Sequence, residues 1–391
     1  MRQFDIEKTM TTRGGDHLLT AAVMLLTGLG LVTLYSSSYA FGEIFFSDGL
    51  YFISRQLVLG LAGLFLFFIA SRIRLEVVRK CIKPLVAFAV LLCVFTFVPG
   101  IGVTKNGASR WIQFGSYTYQ PSELVKLVLP LYLAHIFDKK KDALDSFAAG
   151  ILPPVLITAL FFILIYLENN FSTAVFIAVN ALIIFFLAGV PLRYFFADVV
   201  LLLPLSSLLI LTREHRLRRL ISFIRPEWEP QGAGYQVRSS LLTVMSGGFW
   251  GKGMGQGTRK IASVPEIHSD FIFSSFAEES GFLGVLLLFL LFAFFAFRGY
   301  RAALRSGDLF RRLLAAGLVT MIVSQTLLNI AVVSGSLPAT GIPLPFFSAG
   351  GSSLATTLLS AGFIVNVSRQ DSFSRREENY FREPQEAQGV R

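Results

Sequence analysis

Charge is what this sequence has least of. Asp, Glu, Lys and Arg make up 15% of its 391 residues, where a soluble domain carries about 25%. That shortfall excludes an ordinary soluble globule, because apolar runs of bilayer-crossing length (about 20 residues) stand in its place. Cysteine is scarce as well. Cys81 and Cys93 fall near opposite ends of one predicted span, too far apart for a disulfide, and they lack the spacing of a metal site. No internal repeat is visible, so the sequence does not suggest an inverted-repeat transporter. The segment before Leu18 is polar and mixed in charge, and no small-residue cleavage site follows the first apolar run. That run is therefore expected to stay as a span and not to be removed as a signal.

What the sequence does have is apolar: 53% hydrophobic residues, 39 of them Phe, and a mean hydropathy of +0.62. The expected fold is an all-α polytopic membrane protein of about ten spans, at 17–40, 53–71, 82–100, 121–137, 150–167, 171–189, 194–212, 270–297, 311–333 and 347–367. An even count puts both termini on one side. Twenty-two of the 35 Lys and Arg residues then fall in cytoplasmic segments if that side is the cytoplasm, among them Arg72, Arg74, Lys139 to Lys141, Arg298 and Arg301. The net charge of +10 thus reflects topology and anionic head groups, with no need of nucleic acid. The organisation expected is a cytoplasmic segment 1–16, spans one to seven over 17–212, a long outer loop 213–269, spans eight to ten over 270–367, and a disordered cytoplasmic tail 368–391. The long loop is basic and rich in Gly, with Arg213, Arg216, Arg218, Arg219 and Arg225 at helical spacing.

Four stretches could carry chemistry, and all lie at outer span ends or in outer loops. The first runs from Asn106 through Arg110 and Trp111 to Gln120–Pro121–Ser122–Glu123 and Lys126. Pro121 suits a first helical turn. Glu123 and Lys126 share a helix face, either as a structural ion pair or as functional ionisable groups inside a span. Trp111 alone reads as an interfacial anchor. The second is Gly232–Ala233–Gly234–Tyr235–Gln236 with the glycines from Gly247 to Gly257. These are a flexible connector or a backbone cradle for an anion. The third is Pro265–Glu266–Ile267–His268–Ser269–Asp270 leading into Ser274, Ala277, Glu278, Glu279, Gly281 and Gly284. Asp270 is a helix N-cap or a functional carboxylate, and the small residues are a packing seam or a groove wall. The fourth is the Pro- and Gly-broken run from Leu337 through Ser348 to Ser353, preceded by Asn329. Broken backbone at membrane depth is tolerated where protein buries it or where it lines a wet cavity.

Together these stretches closely resemble the SEDS family (shape, elongation, division and sporulation proteins: FtsW, RodA and SpoVE), over about Asp16 to Asn366. The resemblance rests on N-G-A-x-R-W-I with Q-P-S-E, on G-x-G-Y-Q, on P-E-x-H-[ST]-D-F-I-F with E-E-x-G, and on P-x-T-G-I-P-L-P-F-x-S-x-G-G-S-S. It fits the division member slightly better than the elongation member. It implies a peptidoglycan glycosyltransferase in the cytoplasmic membrane that polymerises lipid II with a class B penicillin-binding protein, among divisome or elongasome membrane proteins. It implies Asp270 as the catalytic residue. The expected substrate contacts are Arg110, Trp111, Glu123, Lys126, Gln236, Glu266, His268, Ser348 and Ser352. No cofactor is certain, a divalent cation being an option. One position departs from the family: Asn170 stands where relatives carry an acid.

The chemistry suits the compartment. Outside the cytoplasm there is no nucleotide sugar, so the donor must arrive activated, as a sugar on a polyprenyl pyrophosphate. A carboxylate base speeds attack by the acceptor hydroxyl roughly 10²–10⁴-fold, and cations stabilise the departing pyrophosphate. A lipid-linked precursor flippase, or a scaffold that activates a partner synthase, are the rival readings.

Overall fold

A computed structural model of the chain describes residues 15–105, 107–115, 117–195, 214–225, 233–257 and 268–386. Asp16 opens the first helix, α1 (His17–Phe46), as a side-chain cap accepting from Leu19 N at 3.0 Å. Then follow α2 (Tyr51–Ala70) and α3 (Leu75–Phe95). A small antiparallel sheet comes next, of order β1 (Gly102–Lys105), β2 (Ala108–Phe114), β3 (Tyr117–Tyr119). The sheet is a small addition to a fold that is otherwise helical, as expected. Its signal is local: Asn106–Gly107 and Gly115–Ser116 are dipeptides suited to two-residue hairpins, each set between alternating residues, and Gly107 and Gly115 both have positive φ.

The rest is helical: α4 (Pro121–Lys139), α5 (Leu152–Leu167, led in by a π turn at Phe147–Ile151), α6 (Phe171–Leu187), α7 (Glu214–Ile224), α8 (Ala233–Ser246), α9 (Ile272–Arg305), α10 (Leu309–Val333) and α11 (Gly351–Glu386). The chain is a polytopic membrane protein. Among the described residues six helices are long and apolar enough to cross a bilayer, within α1, α2, 147–167, α9, α10 and 351–369, and α6 is a shorter apolar helix. Both α3 and α4 fold where spans were expected, but they carry more charge, including Arg79, Lys80 and Lys83 in one and Glu123, Lys126 and Asp138 in the other. The expected span 194–212 lies outside the described residues from 196 on.

Where the long loop is described, it holds two helices, α7 and α8, the first of them along the arginine row of helical spacing. And α11 continues unbroken to Glu386, where a disordered tail was expected from 368; that stretch is rich in Arg and Glu, good helix formers, and no glycine interrupts it.

Packing follows the small residues. A Cβ on Gly63 of α2 would lie 3.0 Å from Ala355 Cα, and one on Gly362 of α11 would lie 2.6 Å from Phe67 O. Those two helices therefore meet backbone to backbone. By contrast, Leu57, Leu61 and Phe65 on α2, and Phe282, Leu286 and Leu290 on α9, are exposed at helical spacing, as lipid-facing stripes are. The polar connection is satisfied by buried amides: Asn366 Nδ2 donates to Ala70 O at 2.6 Å and Ile73 O at 2.7 Å.

The glycine run beside α9 has a structural use the sequence did not reveal. That helix breaks at Gly281 (φ 64°, ψ −168°). The loop at 247–253 fills the break with backbone hydrogen bonds. Lys252 N and Gly253 N each donate at 3.0 Å, to Glu278 O and Glu279 O, while Phe282 N and Leu283 N donate to Gly248 O (2.9 Å) and Phe249 O (3.2 Å). Gly251 sits at φ 80°, and a Cβ there would lie 2.2 Å from Glu279 O. These glycines are thus neither a flexible connector nor an anion cradle. They patch a broken helix whose amides would otherwise be orphaned. Ala277 belongs to the same seam, with Gly247 packed on its carbonyl.

Candidate active site

Asp270 does not cap α9. The helix begins at Ile272 with Phe271 in the cap position and no side-chain cap, so Asp270 lies in the preceding turn. Its carboxylate rests against Gly341, where an added Cβ would approach Oδ2 to 3.3 Å. Two guanidinium groups from different elements interact with it electrostatically. Arg110 shares a face of β2 with Ala108 and Ile112, both buried, because alternate residues of a strand point the same way. It donates to the carbonyl of Asn169 at the α5–α6 turn, and Asn169 Nδ2 returns a bond to Gly107 O at 2.8 Å. Arg219, on α7, donates to Ala339 O at 3.3 Å. Arg216, one turn earlier, stacks over the rings of Tyr166 (4.5 Å) and Phe171 (4.8 Å).

The charges are coupled. Burial holds the Arg110 guanidinium below its ordinary value, as does the like charge of Arg219, while Glu168 and Asp270 pull it back up. Burial lowers Arg219 too, and Asp270 opposes that. Two half-buried cations acting on one carboxylate leave a net positive site suited to an anion.

Lys126 and Glu123 are brought together as the spacing predicts, Nζ to Oε2 at 2.8 Å, and both are buried. A third partner was not foreseen: Lys126 Nζ also donates to Gln325 Oε1 at 3.0 Å. The three border a cleft that Thr356, Thr357 and Ser360 of α11 complete. Asn329 on α10 donates from Nδ2 to Asp270 O at 2.9 Å.

Other expected contacts lie elsewhere. His268 is buried between the rings of Phe41 (5.0 Å) and Phe52 (4.3 Å), and its carbonyl accepts from Ala349 N. Ser348 Oγ accepts from Leu344 N at 2.8 Å and so closes the turn of the broken segment. Trp111 lies on the strand face opposite Arg110, paired with Val103. Gln236 is half-buried on α8, and Ser352 half-buried in the first turn of α11. Glu266 lies outside the described residues. Sequence reasoning placed the arginine row on a helix but did not single out Arg219, and it gave Asn329 no partner and Gln325 no mention.

Asn170, at the position of the missing acid, is buried and donates to Ser122 Oγ at 3.4 Å. Two residues back, Glu168 is fully buried, with Cys93, Thr96 and Arg110 beside it. Burial pushes its carboxyl up to about 8, against the opposing pull of those neighbours. The folded protein therefore keeps this proton where the unfolded chain, with an ordinary value of 4.5, has released it. The group's contribution to stability is complete below that ordinary value and is lost as pH rises through about 8. Glu168→Gln is expected to remove that loss, so its melting temperature should exceed the parent's by more at about pH 9 than at about pH 5. An equal difference at both would mean the carboxyl is not held neutral.

Comparison with known proteins agrees with this architecture. The family of FtsW, RodA and SpoVE, described as cell cycle proteins, matches residues 16–373. A probable peptidoglycan glycosyltransferase FtsW of Geobacter sp. (strain M18) is 37% identical over 91% of this chain and 97% of its own length. Stage V sporulation protein E of Bacillus subtilis is 35% identical over 93% of this chain and 100% of its own. Among solved structures, a chain of a peptidoglycan synthase complex superposes with a TM-score of 0.77 at 27% identity, covering 91% of this chain and 98% of that one. The rod shape determining protein RodA of Thermus thermophilus gives 0.67 at 27% identity, covering 91% and 97%. With this span of matched sequence and this fold, the chain belongs to the FtsW, RodA and SpoVE family, the SEDS proteins.

Proposed function

We propose that this protein is a peptidoglycan glycosyltransferase of cell division that polymerises lipid II at the outer face of the cytoplasmic membrane, with Asp270 as general base. The observation that carries the reading is the carboxylate of Asp270, which rests on Gly341 of the proline-broken segment and acts electrostatically on two half-buried arginines, Arg110 and Arg219. In the transfer, the acceptor sugar's 4-hydroxyl attacks the anomeric carbon of the donor and Asp270 takes its proton. The bond from that carbon to the pyrophosphate oxygen breaks, with inversion. The leaving polyprenyl pyrophosphate carries away the electron pair, and Arg110, Arg219 and Lys126 balance the developing charge without having to reorganise.

The distribution of basic residues supports ten spans with both termini cytoplasmic, and with it an outward-facing site. The similarity to a chain of a peptidoglycan synthase complex supports a class B penicillin-binding protein as partner, which would cross-link the strands this chain extends.

The test is polymerisation by the purified chain alone in detergent, supplied with lipid II. Glycan strands are the expected product. Polymer appearing only when another glycosyltransferase is added would make the chain an activating scaffold. Lipid II crossing proteoliposome membranes with no polymer formed would make it a transporter.

A further inference from the structure

Two uncharged side chains on α10 reach both halves of the site. Gln325 and Asn329 are one helical turn apart, on one face, and both are buried. Each holds partners on two sides. Gln325 accepts from Lys126 Nζ at 3.0 Å and donates from Nε2 to Pro343 O at 2.8 Å. Asn329 spends Nδ2 on two carbonyls, Asp270 O and Ile342 O, each at 2.9 Å.

Ile342 and Pro343 are consecutive residues of the broken segment, and their carbonyls are what the two amides grip. The segment needs such a grip. Pro338, Pro343 and Pro345 have no amide hydrogens to give, and a buried carbonyl without a donor is costly. Gly341, against which the Asp270 carboxylate rests, is the residue before the gripped pair. The contacts therefore form a continuous path: Lys126 to Gln325, Gln325 to the segment, the segment to Asn329, and Asn329 to Asp270. An amide is the side chain that serves here, because Gln325 must accept on one side and donate on the other. At Asn329 two hydrogens are needed from one nitrogen.

We propose that Gln325 and Asn329 are positioning residues for glycosyl transfer, which lock the 340–344 segment in one place and so fix Asp270 relative to the Lys126 ammonium. The proposal rests on the reading of Asp270 as base. Displacing a catalytic group by about 1 Å costs about 10²-fold in rate, and that is the scale expected when either grip is removed.

The experiment measures kcat and KM for lipid II polymerisation with purified full-length Asn329→Leu, Gln325→Glu and Gln325→Met, each normalised to monodisperse, folded protein. Gln325→Glu keeps the acceptor for Lys126 and loses the donor to Pro343, so it isolates the grip on the segment. All three are expected to lower kcat about 10²-fold with KM changed less than about threefold. The Asn329→Leu, Gln325→Met double variant should lose little more than its worse parent, since both act on one segment. A merely structural role would reduce the yield or melting temperature and leave kcat per folded molecule unchanged, and that result overturns the proposal. A rise in KM at constant kcat overturns it as well. If Asn329→Leu does not fold, the two Gln325 variants decide alone. Asp270→Asn run in parallel separates the failures: if it polymerises at the parental rate the base assignment falls, whereas if it is inactive and the amide variants are not, the positioning pair alone falls.

Discussion

Asp270→Asn is expected to cut the polymerisation rate by roughly 10²–10⁴-fold, the range a positioned general base contributes. Asparagine has nearly the same shape but cannot take the acceptor's proton. The loss should appear in kcat. Donor binding should move the other way or stay level, because removing a negative charge that acts on Arg110 and Arg219 leaves the pair more attractive to a pyrophosphate. A weaker donor KM with kcat intact would instead mark Asp270 as a binding group. Near-parental glycan output from folded Asp270→Asn would sink the assignment outright. Thermal unfolding belongs beside the kinetics, since Arg110 and Arg219 already repel each other and lose the carboxylate that offsets this, which also costs stability.

Gly281→Ala is expected to be severely destabilising, by at least about 4 kcal/mol, a size reserved for a few identifiable mechanisms. Two of them combine at this residue. Its φ of 64° disfavours any side chain, and a Cβ would stand 2.2 Å from Gly251 N and 2.7 Å from Phe249 O. Both obstacles are backbone, so no rotamer change relieves them. Gly251→Ala should behave alike, its Cβ falling 2.2 Å from Glu279 O, and the double variant should cost much less than the two losses added together. Gly255→Ala is the control. It has φ 80° but nothing within 4 Å, so only backbone strain of about 1–2 kcal/mol remains. Melting curves in detergent check the order; similar values for Gly281→Ala and Gly255→Ala would mean the loop does not brace the helix.

How legible this was from sequence depended on the distance over which each contact forms. Helix positions came from apolar runs, which are local, and most described spans match within a few residues. The Glu123–Lys126 pair, three residues apart, was equally visible. The sheet that presents Arg110 has a local signal too, the Asn–Gly dipeptide at 106–107, but one embedded in a motif whose apolar neighbours point to helices. The rest was not local. Lys126 meets Gln325 across 199 positions, and Ser36 donates to Glu279 across 243; no periodicity encodes such pairings. His268 shows the converse error. Its place beside Asp270 in the chain suggested a shared role, yet the turn sends its ring among Phe41 and Phe52. The glycine run misled for a related reason, because glycines that accommodate an anion and glycines that accommodate another backbone look the same when the neighbour is unknown.

The patched break at Gly281 also resets rotational phase. In a continuous helix each residue turns the chain by about 100°, so a residue gained or lost anywhere along it swings everything beyond. Here the piece Ile272–Ser280 takes its angular reference from the loop bonded to Glu278 O and Glu279 O, and the piece from Phe282 takes its own from Gly248 O and Phe249 O. Changes of helical register in Phe282–Arg305 stop at that junction and are not passed on as rotation to the turn that holds Asp270.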